Sequence, residues 1–485
     1  MSFKKTVIFF FGFLFLAAPG AVGSDFPDRD IDVTDYELSL TIPFEKSGYY
    51  IHQNKLSGTA RITLKNTGAE PLAKVPVILH RLMKAENITN QNGDPVSFSQ
   101  TLRALEDNEV YQITYVEIDP ETPISPGEAY TFEISYEGGL SGYQETGMLY
   151  VREALDPEFT IIRFETFAYP QILYPVDSQR RPAWNDAFNQ VIRITVPDGH
   201  TVTNGANLTG MTKKDGFSTF EFKTGEPKSM ILLPIAKYRI IESGNNRIYY
   251  FPEDQAGAEI LAGATKKGMD LMAEWFGPLE RERGLKVIEI PEWFGSQVDF
   301  PAIIQTADAF RDQSGLGQLY HELSHFWNVP DPDPAPARWN EGLAMFLQGL
   351  TAEKLDQEGA LRSLLDRLFE RFKGTIEDET YRVPMSDYGK HGITFLSYTG
   401  GGVFFGLLYF ELGEQAFLET FDAFYKKYAG GATTSEFLKH LEGLDKPIVN
   451  QLIRDWFLTA DYAELMVEAN SFEDIQSHYL PNEAE

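Results

Sequence analysis

Hydrophobic and polar residues alternate with a period of two over much of residues 31–235. The clearest runs are Tyr36, Leu38, Leu40 and Ile42, and later Ile192, Ile194 and Val196. Because successive side chains of a strand point to opposite faces of a sheet, this alternation predicts half-buried β-strands. Asp215-Gly216 separates two such runs, which predicts a hairpin. This part of the chain is therefore predicted to be a β domain, either a sandwich or a saddle.

The pattern changes near residue 236 to longer segments with helical spacing, such as residues 259–275, which Gly277-Pro278 closes. Residues 286–290 and 302–305 are short apolar runs typical of buried strands. Further helices are predicted over residues 407–427 and from about Ser435, on either side of a break at Gly430-Gly431. The predicted fold is α+β and multidomain: an N-terminal β domain (24–235), then a mostly helical domain (236–485) that carries the chemistry.

The first 23 residues have the layout of a signal peptide. Lys4 and Lys5 precede an apolar stretch over residues 7–18, and small residues follow, ending with Ala21-Val22-Gly23. We predict cleavage after residue 23 and export to the periplasm or the cell exterior. The alternative is a retained membrane anchor, but the stretch is interrupted by Pro19 and is short for a span, so no stable membrane insertion is expected.

Composition narrows the class of protein further. The 485 residues carry a formal net charge of −29 and include no cysteine. Such an acidic surface repels the phosphate backbone, which excludes nucleic acid as a partner. Without cysteine, neither a disulfide framework nor a lipoprotein anchor is available, so stability must come from packed cores.

A metal-binding motif stands near residue 321, in the order His321-Glu322-Leu323-Ser324-His325. The neighbouring apolar residues have the i, i+3, i+4, i+7 spacing of one buried helical face: Leu316, Leu319, Tyr320, Leu323, Phe326 and Trp327. On a helix, His321 and His325 lie one turn apart on one face and can bind one Zn²⁺, with Glu322 as the general base. The competing interpretation is a pair of solvated helix histidines.

A catalytic zinc needs a third protein ligand and one position open for water. Glu341 is the natural candidate, because it follows a proline-rich loop and opens a second helix whose apolar residues leave it off the most apolar face and free to point at the metal. Alone, a glutamate in the first turn is more often a partner of the helix dipole. Its pairing with the upstream motif favours the ligand role.

His321-Glu322-x-x-His325 followed by Asn340-Glu341-Gly342 resembles the zinc site of the aminopeptidase N and leukotriene hydrolase family, which are thermolysin-like metallopeptidases of the gluzincin type. The resemblance implies a thermolysin-like catalytic domain, bound zinc, and a peptide or protein substrate in a cleft. Tyr398-Thr399-Gly400-Gly401 resembles the segment that supplies the family's transition-state tyrosine, which implies a catalytic role for Tyr398. His325-Phe326-Trp327-Asn328 is also similar to the glycyl aminopeptidases. Their interval to the third ligand is longer than the 15 residues found here, so they rank second.

Two positions depart from the family's pattern for binding the free amine of a substrate. Where the family has Gly-x-Met-Glu-Asn, this chain has Gly295-Ser296-Gln297-Val298-Asp299, with Asp299 as the carboxylate in reach. Where the family has glutamine before Phe-Glu, this chain has Arg163. An arginine there would repel an ammonium group and attract a carboxylate. We therefore predict that Asp299 and Arg163 bind the substrate, but with a preference that differs from the family's preference for a free amine.

The sequence as a whole predicts a secreted zinc metallopeptidase that is aminopeptidase-like but has a degenerate site for the free amine. One alternative keeps the zinc but hydrolyses another bond, as the family's epoxide-opening members do. Another is a non-catalytic peptide-binding protein on the same fold, against which the intact Glu322 argues, since binding needs no general base. Exopeptidase and endopeptidase action both stay open, and no oligomeric state is predicted.

Overall fold

The computed structural model describes residues 30–44, 54–180, 183, 186–279, 284–312, 315–355 and 358–480. The predicted signal peptide lies outside these residues. The predicted fold class is confirmed: a β-rich N-terminal region precedes a region dominated by helices.

The N-terminal region forms three sheets, with seven, three and three strands. The strand order is β11-β12-β9-β1-β2-β7-β4 in the first sheet, β10-β13-β8 in the second and β3-β6-β5 in the third. The strands are β1 Ile31–Thr41, β2 Leu56–Asn66, β3 Val75–His80, β4 Met83–Asn90, β5 Ser97–Leu105, β6 Asn108–Asp119, β7 Ala129–Gly138, β8 Phe159–Ile162, β9 Asn189–Pro197, β10 Thr201–Val202, β11 Asn207–Lys214, β12 Phe217–Lys223 and β13 Leu233–Ala236.

The alternation seen in the sequence is the alternation of burial in these strands. In β1, Tyr36, Leu38 and Leu40 are buried in the core of the region, and the residues between them are more exposed. The predicted hairpin is confirmed, since β11 and β12 pair antiparallel. Its turn places Asp215 and Gly216 at φ values of 52° and 81°, the left-handed conformation that a two-residue hairpin turn requires.

The C-terminal region begins with a five-stranded sheet in the order β14-β15-β16-β18-β17. Its strands are β14 Arg239–Ser243, β15 Asn246–Tyr250, β16 Lys286–Ile290, β17 Gln297–Asp299 and β18 Ala302–Thr306. The two predicted short strands are thus confirmed as β16 and β18, while β17 is one of the two edge strands and pairs antiparallel with β18. Sheet membership changes between Ala236 and Arg239, next to the predicted domain boundary, which itself stays a prediction.

Helices make up most of the remainder: α1 Gln255–Phe276, α2 Asp308–Arg311, α3 Leu316–Ser324, α4 Trp339–Leu355, α5 Ala360–Ile376, α6 Leu396–Leu412, α7 Glu414–Tyr428, α8 Thr434–Glu442, α9 Pro447–Ile453, α10 Tyr462–Glu468 and α11 Phe472–Tyr479. The prediction of one helix over residues 407–427 is wrong. Gly413 divides it into α6 and α7, because its φ of 75° and ψ of 159° are outside the helical range.

The five-stranded sheet is buried on both faces. Ile288 and Ile304 pack with residues of β8 and β13 on the side of the N-terminal region. Val287 and Ile303 point the other way, into the core that the helices form. Strands that are covered on both faces read as continuous apolar runs instead of alternating ones, which explains the pattern of β16 and β18 in the sequence.

Candidate metal centre and active site

Helix α3 carries the two candidate histidine ligands. Its apolar face is buried, and the rings of His321 and His325 lie side by side with centroids 5.0 Å apart. The helix ends at Ser324, so the predicted helical face is one turn too long. Phe326 and Trp327 are nevertheless buried just beyond it, and Trp327 Nε1 donates a hydrogen bond of 2.8 Å to the carbonyl of Gly277. The end of the motif is thereby fixed to the end of α1.

Glu341 reaches the histidines from the first turn of α4, after the proline-rich loop. Within the loop, Asp331 accepts a hydrogen bond of 3.0 Å from the backbone N–H of Arg338. Asn328 Nδ2 donates to the carbonyl of Asn340 at 2.5 Å, which ties the end of α3 to the start of α4. The loop therefore returns the chain so that Glu341 faces α3.

The candidate ligand atoms of His321, His325 and Glu341 all lie within 4.8 Å of one another. Glu341 Oε2 is 3.4 Å from His321 Nε2 and 3.5 Å from His325 Nε2. This oxygen is buried and has no hydrogen-bond partner among the described residues. Two imidazole nitrogens and one carboxylate oxygen that converge without satisfying one another fit a zinc ion, whose usual catalytic donor set is of this kind.

Charge at the cluster favours an ionised Glu341. Burial alone raises the pKa of this carboxyl, but the Arg338 guanidinium and His325 outweigh burial and hold the pKa well below its usual range. For His325, burial alone would lower the pKa of the imidazole, but the charge of Glu341 and its hydrogen bond outweigh burial and raise that pKa. A carboxylate is the form that binds a cation, so the surroundings of Glu341 prepare it for that role.

Glu322 lies on the same helix as the histidines but is not part of the ligand cluster. Its carboxyl is buried, and Oε1 accepts a hydrogen bond of 2.7 Å from Gln318 Nε2, one turn earlier. A carboxylate that is held beside the ligands without being one has the placement a general base needs.

Tyr398, on α6, lies next to His321. The two rings stack with centroids 5.9 Å apart. The hydroxyl oxygen of Tyr398 accepts a hydrogen bond of 3.2 Å from Arg338 Nη2. Burial raises the pKa of Tyr398, more than the Arg338 charge lowers it, so the hydroxyl keeps its proton and can donate a hydrogen bond.

Two glycines bring the helices of Glu341 and Tyr398 together. A Cβ atom built on Gly342 of α4 would stand 2.6 Å from the Cα of Gly401 on α6, and one on Gly401 would stand 2.8 Å from the Cα of Gly342. Ser397 reinforces the approach, since its hydroxyl donates to the carbonyl of Ala337 at 2.7 Å. The glycines of Asn340-Glu341-Gly342 and Tyr398-Thr399-Gly400-Gly401 are therefore required by the packing that builds the site.

We expect Gly401→Ala to lower the free energy of unfolding by about 1–3 kcal/mol, because the added methyl group meets backbone atoms that cannot move aside. Gly263→Ala is a matched control in the middle of α1, where a Cβ meets nothing within 4 Å. It should be neutral or stabilising by up to about 1 kcal/mol. Denaturant unfolding of both variants checks the prediction, and equal stabilities would contradict it.

Asp299, predicted to bind the substrate's amine, is buried at the end of β17. Its carboxylate accepts a hydrogen bond of 2.7 Å from the backbone N–H of Gly205 and forms an ion pair with Lys228. Both partners belong to the N-terminal region. The role predicted for Asp299 stays a prediction, and its charge is compensated within the chain.

Arg163, the other predicted substrate-binding residue, is fully buried. Its guanidinium forms an ion pair with Glu153 and donates to the carbonyls of Phe294 at 3.0 Å and Tyr150 at 2.8 Å. Glu165 lies 3.9 Å from the same group. The predicted contact with a substrate stays a prediction, and within the chain the guanidinium is bound by Glu153, Phe294 and Tyr150.

The strand before the metal helix connects to this buried network. Gln297 on β17 donates a hydrogen bond of 2.8 Å to Glu165, and Asp299 lies on the same face of the strand, two residues further on. One face of the edge strand is thus held against the N-terminal region by Glu165 and Lys228.

Sequence reasoning assigned no role to Arg338 or Gln318. Arg338 precedes Glu341 by three residues and forms an ion pair with it, and Gln318 precedes Glu322 by four residues and bonds to it. For Gln318 the i, i+4 spacing on α3 was the available signal, since residues so spaced are neighbours on a helix surface. Arg338 precedes the first residue of α4 and has a φ of 55°, so helical spacing gave no signal for it.

No helix among the described residues is both long and apolar enough to cross a membrane.

The fold and the ligand cluster together define the class: a two-region chain with the donor set of a zinc hydrolase.

Comparison with solved structures shows which known proteins are similar to this chain in fold. A variant of the M1 zinc metallopeptidase from Deinococcus radiodurans, solved with a Tyr-Ser-Ala substrate, is similar with a TM-score of 0.59 and 20% identity, over 88% of this chain and 94% of that one. Yeast LTA4 hydrolase, solved with bestatin, has a TM-score of 0.62 and 14% identity, over 89% and 68% of the two chains. The chain therefore has the fold of the M1 zinc metallopeptidases, and the resemblance to that family is confirmed at the level of the fold. No family model and no curated protein matches the sequence.

Proposed function

We propose that this chain is an exported zinc-dependent metallopeptidase that hydrolyses peptide bonds. The observation that carries the proposal is the convergence of His321 Nε2, His325 Nε2 and Glu341 Oε2, with Glu322 beside them on the same helix. Export is supported by the pattern of residues 1–23 alone.

When bound, zinc supplies Lewis-acid polarisation of a carbonyl and makes a coordinated water more acidic. The two histidines and Glu341 would hold the ion. Glu322 would accept the proton of the attacking water and pass it to the leaving amine, for which its unligated carboxylate is suited. Tyr398 would donate a hydrogen bond to the oxyanion that develops at the scissile carbonyl, and the stacking of its ring on His321 supports this role.

Tyr398→Phe should lower kcat by on the order of a hundredfold with little change in KM, the signature of a contact made mainly in the transition state. Steady-state kinetics on one peptide substrate check this. A loss confined to KM would instead make Tyr398 a residue that binds the ground state.

For the substrate's end, we propose that the free amine is poorly recognised. A buried ammonium group without a carboxylate partner would cost several kcal/mol. Asp299 is already paired with Lys228, and Glu153 and Glu165 share Arg163. Burial also raises the pKa of Glu153 to about 7 despite Arg163, which weakens it as an anion at neutral pH.

We therefore expect peptides that extend on both sides of the cleaved bond, or that bear an acidic group, to be better substrates than aminoacyl reporters. An assay of the purified protein should compare free-amine fluorogenic amino acids with an N-blocked, internally quenched peptide library. A reporter cleaved at kcat/KM of roughly 10⁴ M⁻¹s⁻¹ or more, abolished by Asp299→Asn and not improved by Arg163→Gln, would contradict this expectation. Zinc-loaded protein that cleaves no peptide would contradict the proposed function and favour a hydrolase of another bond.

A further inference from the structure

The loop before α4 places Arg338 with an unusual backbone. Its φ is 55°, in the left-handed region, which non-glycine residues adopt infrequently. The side chain of Asp331 holds this conformation by accepting the N–H of Arg338. Such a conformation persists where the surroundings fix it, and residues held in this way are concentrated at functional sites.

The guanidinium of Arg338 lies between the candidate zinc ligand and the candidate oxyanion donor. Arg338 Nη2 donates to Glu341 Oε1 and to the hydroxyl oxygen of Tyr398, the latter at 3.2 Å. The centre of the guanidinium is also 5.5 Å from the centroid of the Tyr398 ring. A single nitrogen therefore contacts both residues, which are 57 positions apart in the chain.

We propose that Arg338 is a positioning residue for both Glu341 and Tyr398. It engages one carboxylate oxygen of Glu341, so that only the other oxygen is left for the metal. It also orients the Tyr398 hydroxyl so that its hydrogen points toward the substrate. The inference rests on the proposed function, because it assigns Arg338 a part in that same site.

The first half of the proposal follows from which carboxylate oxygen is engaged. Oε1 of Glu341 is paired with Arg338, while Oε2 faces the Nε2 atoms of His321 and His325. A carboxylate with one oxygen bound to a guanidinium offers the other to the metal, which leaves room at the ion for water. Partners that orient a ligand in this way typically contribute to metal affinity or activity.

The second half follows from the chemistry of the donor. A guanidinium has five N–H donors and no acceptor. In its contact with Arg338, Tyr398 must therefore be the acceptor through its oxygen, which keeps its own hydrogen out of that contact and leaves it for an acceptor, either Glu341 or a developing oxyanion. That hydrogen is the one that the proposed mechanism needs for the oxyanion.

The test begins with zinc affinity, which does not depend on peptidase activity. Arg338→Met removes the charge and the hydrogen bonds while keeping an unbranched apolar stem. Its zinc dissociation constant, measured by competition with a chromogenic chelator, should rise about 10- to 100-fold. The control is Arg367→Met, at an exposed position of α5 where the arginine bonds to Ser363. Its zinc affinity should match that of the parent.

The second arm measures turnover of a quenched peptide at saturating zinc. Arg338→Met should lower kcat by on the order of tenfold or more with KM little changed, and the double variant with Tyr398→Phe should be no slower than the slower single variant. Arg338→Lys keeps the charge beside Glu341 but cannot reproduce the planar fork. It should fold and bind zinc while retaining reduced kcat, which keeps the proposal testable if Arg338→Met does not fold.

Added guanidinium ion at millimolar concentration should restore part of the kcat of an Arg338→Ala variant, which a merely structural role would not allow. Unchanged zinc affinity together with unchanged kcat would overturn the proposal. So would a change in KM alone, or additive effects of Arg338→Met and Tyr398→Phe. If the parent binds zinc but cleaves no peptide, the proposed function fails, and the zinc affinity of Arg338→Met still decides whether Arg338 positions Glu341.

Discussion

Glu322→Gln should reduce kcat by about 10²–10⁴-fold while leaving zinc content and fold intact, because an amide cannot accept the proton of the attacking water. Glutamine has the same shape, and its side-chain oxygen can still accept the hydrogen bond that Gln318 Nε2 gives to Glu322 Oε1. Since Glu322 is outside the ligand cluster, its replacement removes no donor from the metal.

The matched control is Glu370→Gln, at an exposed position of α5, which makes the same change of charge far from any proposed role. It should have the activity of the parent. Zinc content by elemental analysis and thermal unfolding of both variants establish that only the chemistry differs. Near-parental turnover of Glu322→Gln would remove this residue from the mechanism.

Glu341→Gln should abolish activity and prevent zinc from remaining bound through purification, whereas the parent should carry one zinc per chain. It has a second consequence, because Arg338 loses the carboxylate with which it forms an ion pair. Removing one partner of a largely buried pair leaves the other charge uncompensated. The metal-free variant should therefore be less stable than the metal-free parent by about 2–3 kcal/mol.

Comparing the two proteins without metal matters, since bound zinc stabilises the parent by mass action and would exaggerate the difference. His321→Ala supplies the contrast. It also removes a ligand, but it keeps the pair of Glu341 and Arg338, so its metal-free stability should fall less. A Glu341→Gln variant that retains stoichiometric zinc would contradict the assignment of the third ligand.

The strands of the N-terminal region and the helix around His321 could be predicted because each buries one face, and burial of one face leaves a period in the sequence. The division of residues 396–428 into two helices was less visible. Residues 396–408 of α6 are apolar on nearly every side, since the helix is surrounded by other elements. Without a polar face there is no period to end at Gly413.

The closeness of His321 and His325 was predictable for a different reason, namely that local spacing on a helix fixes their relative geometry. Arg163 and Asp299 show the limit of this reasoning. The sequence shows that both residues are charged, but it does not show their partners. Arg163 is paired with Glu153, and Asp299 is paired with Lys228. Such pairings depend on tertiary contacts, which cannot be inferred from a single sequence.

The two faces of the five-stranded sheet belong to two different hydrophobic cores, which limits where the chain could be cut into stable fragments. A fragment starting at residue 237 would keep the helices and the complete ligand set, yet it would expose Ile288, Ile290 and Ile304 to water, because the strands that cover them lie upstream. An uncovered apolar sheet face favours self-association. We therefore expect the helical region to need the N-terminal region for folding, and a fragment that starts at residue 237 should be insoluble.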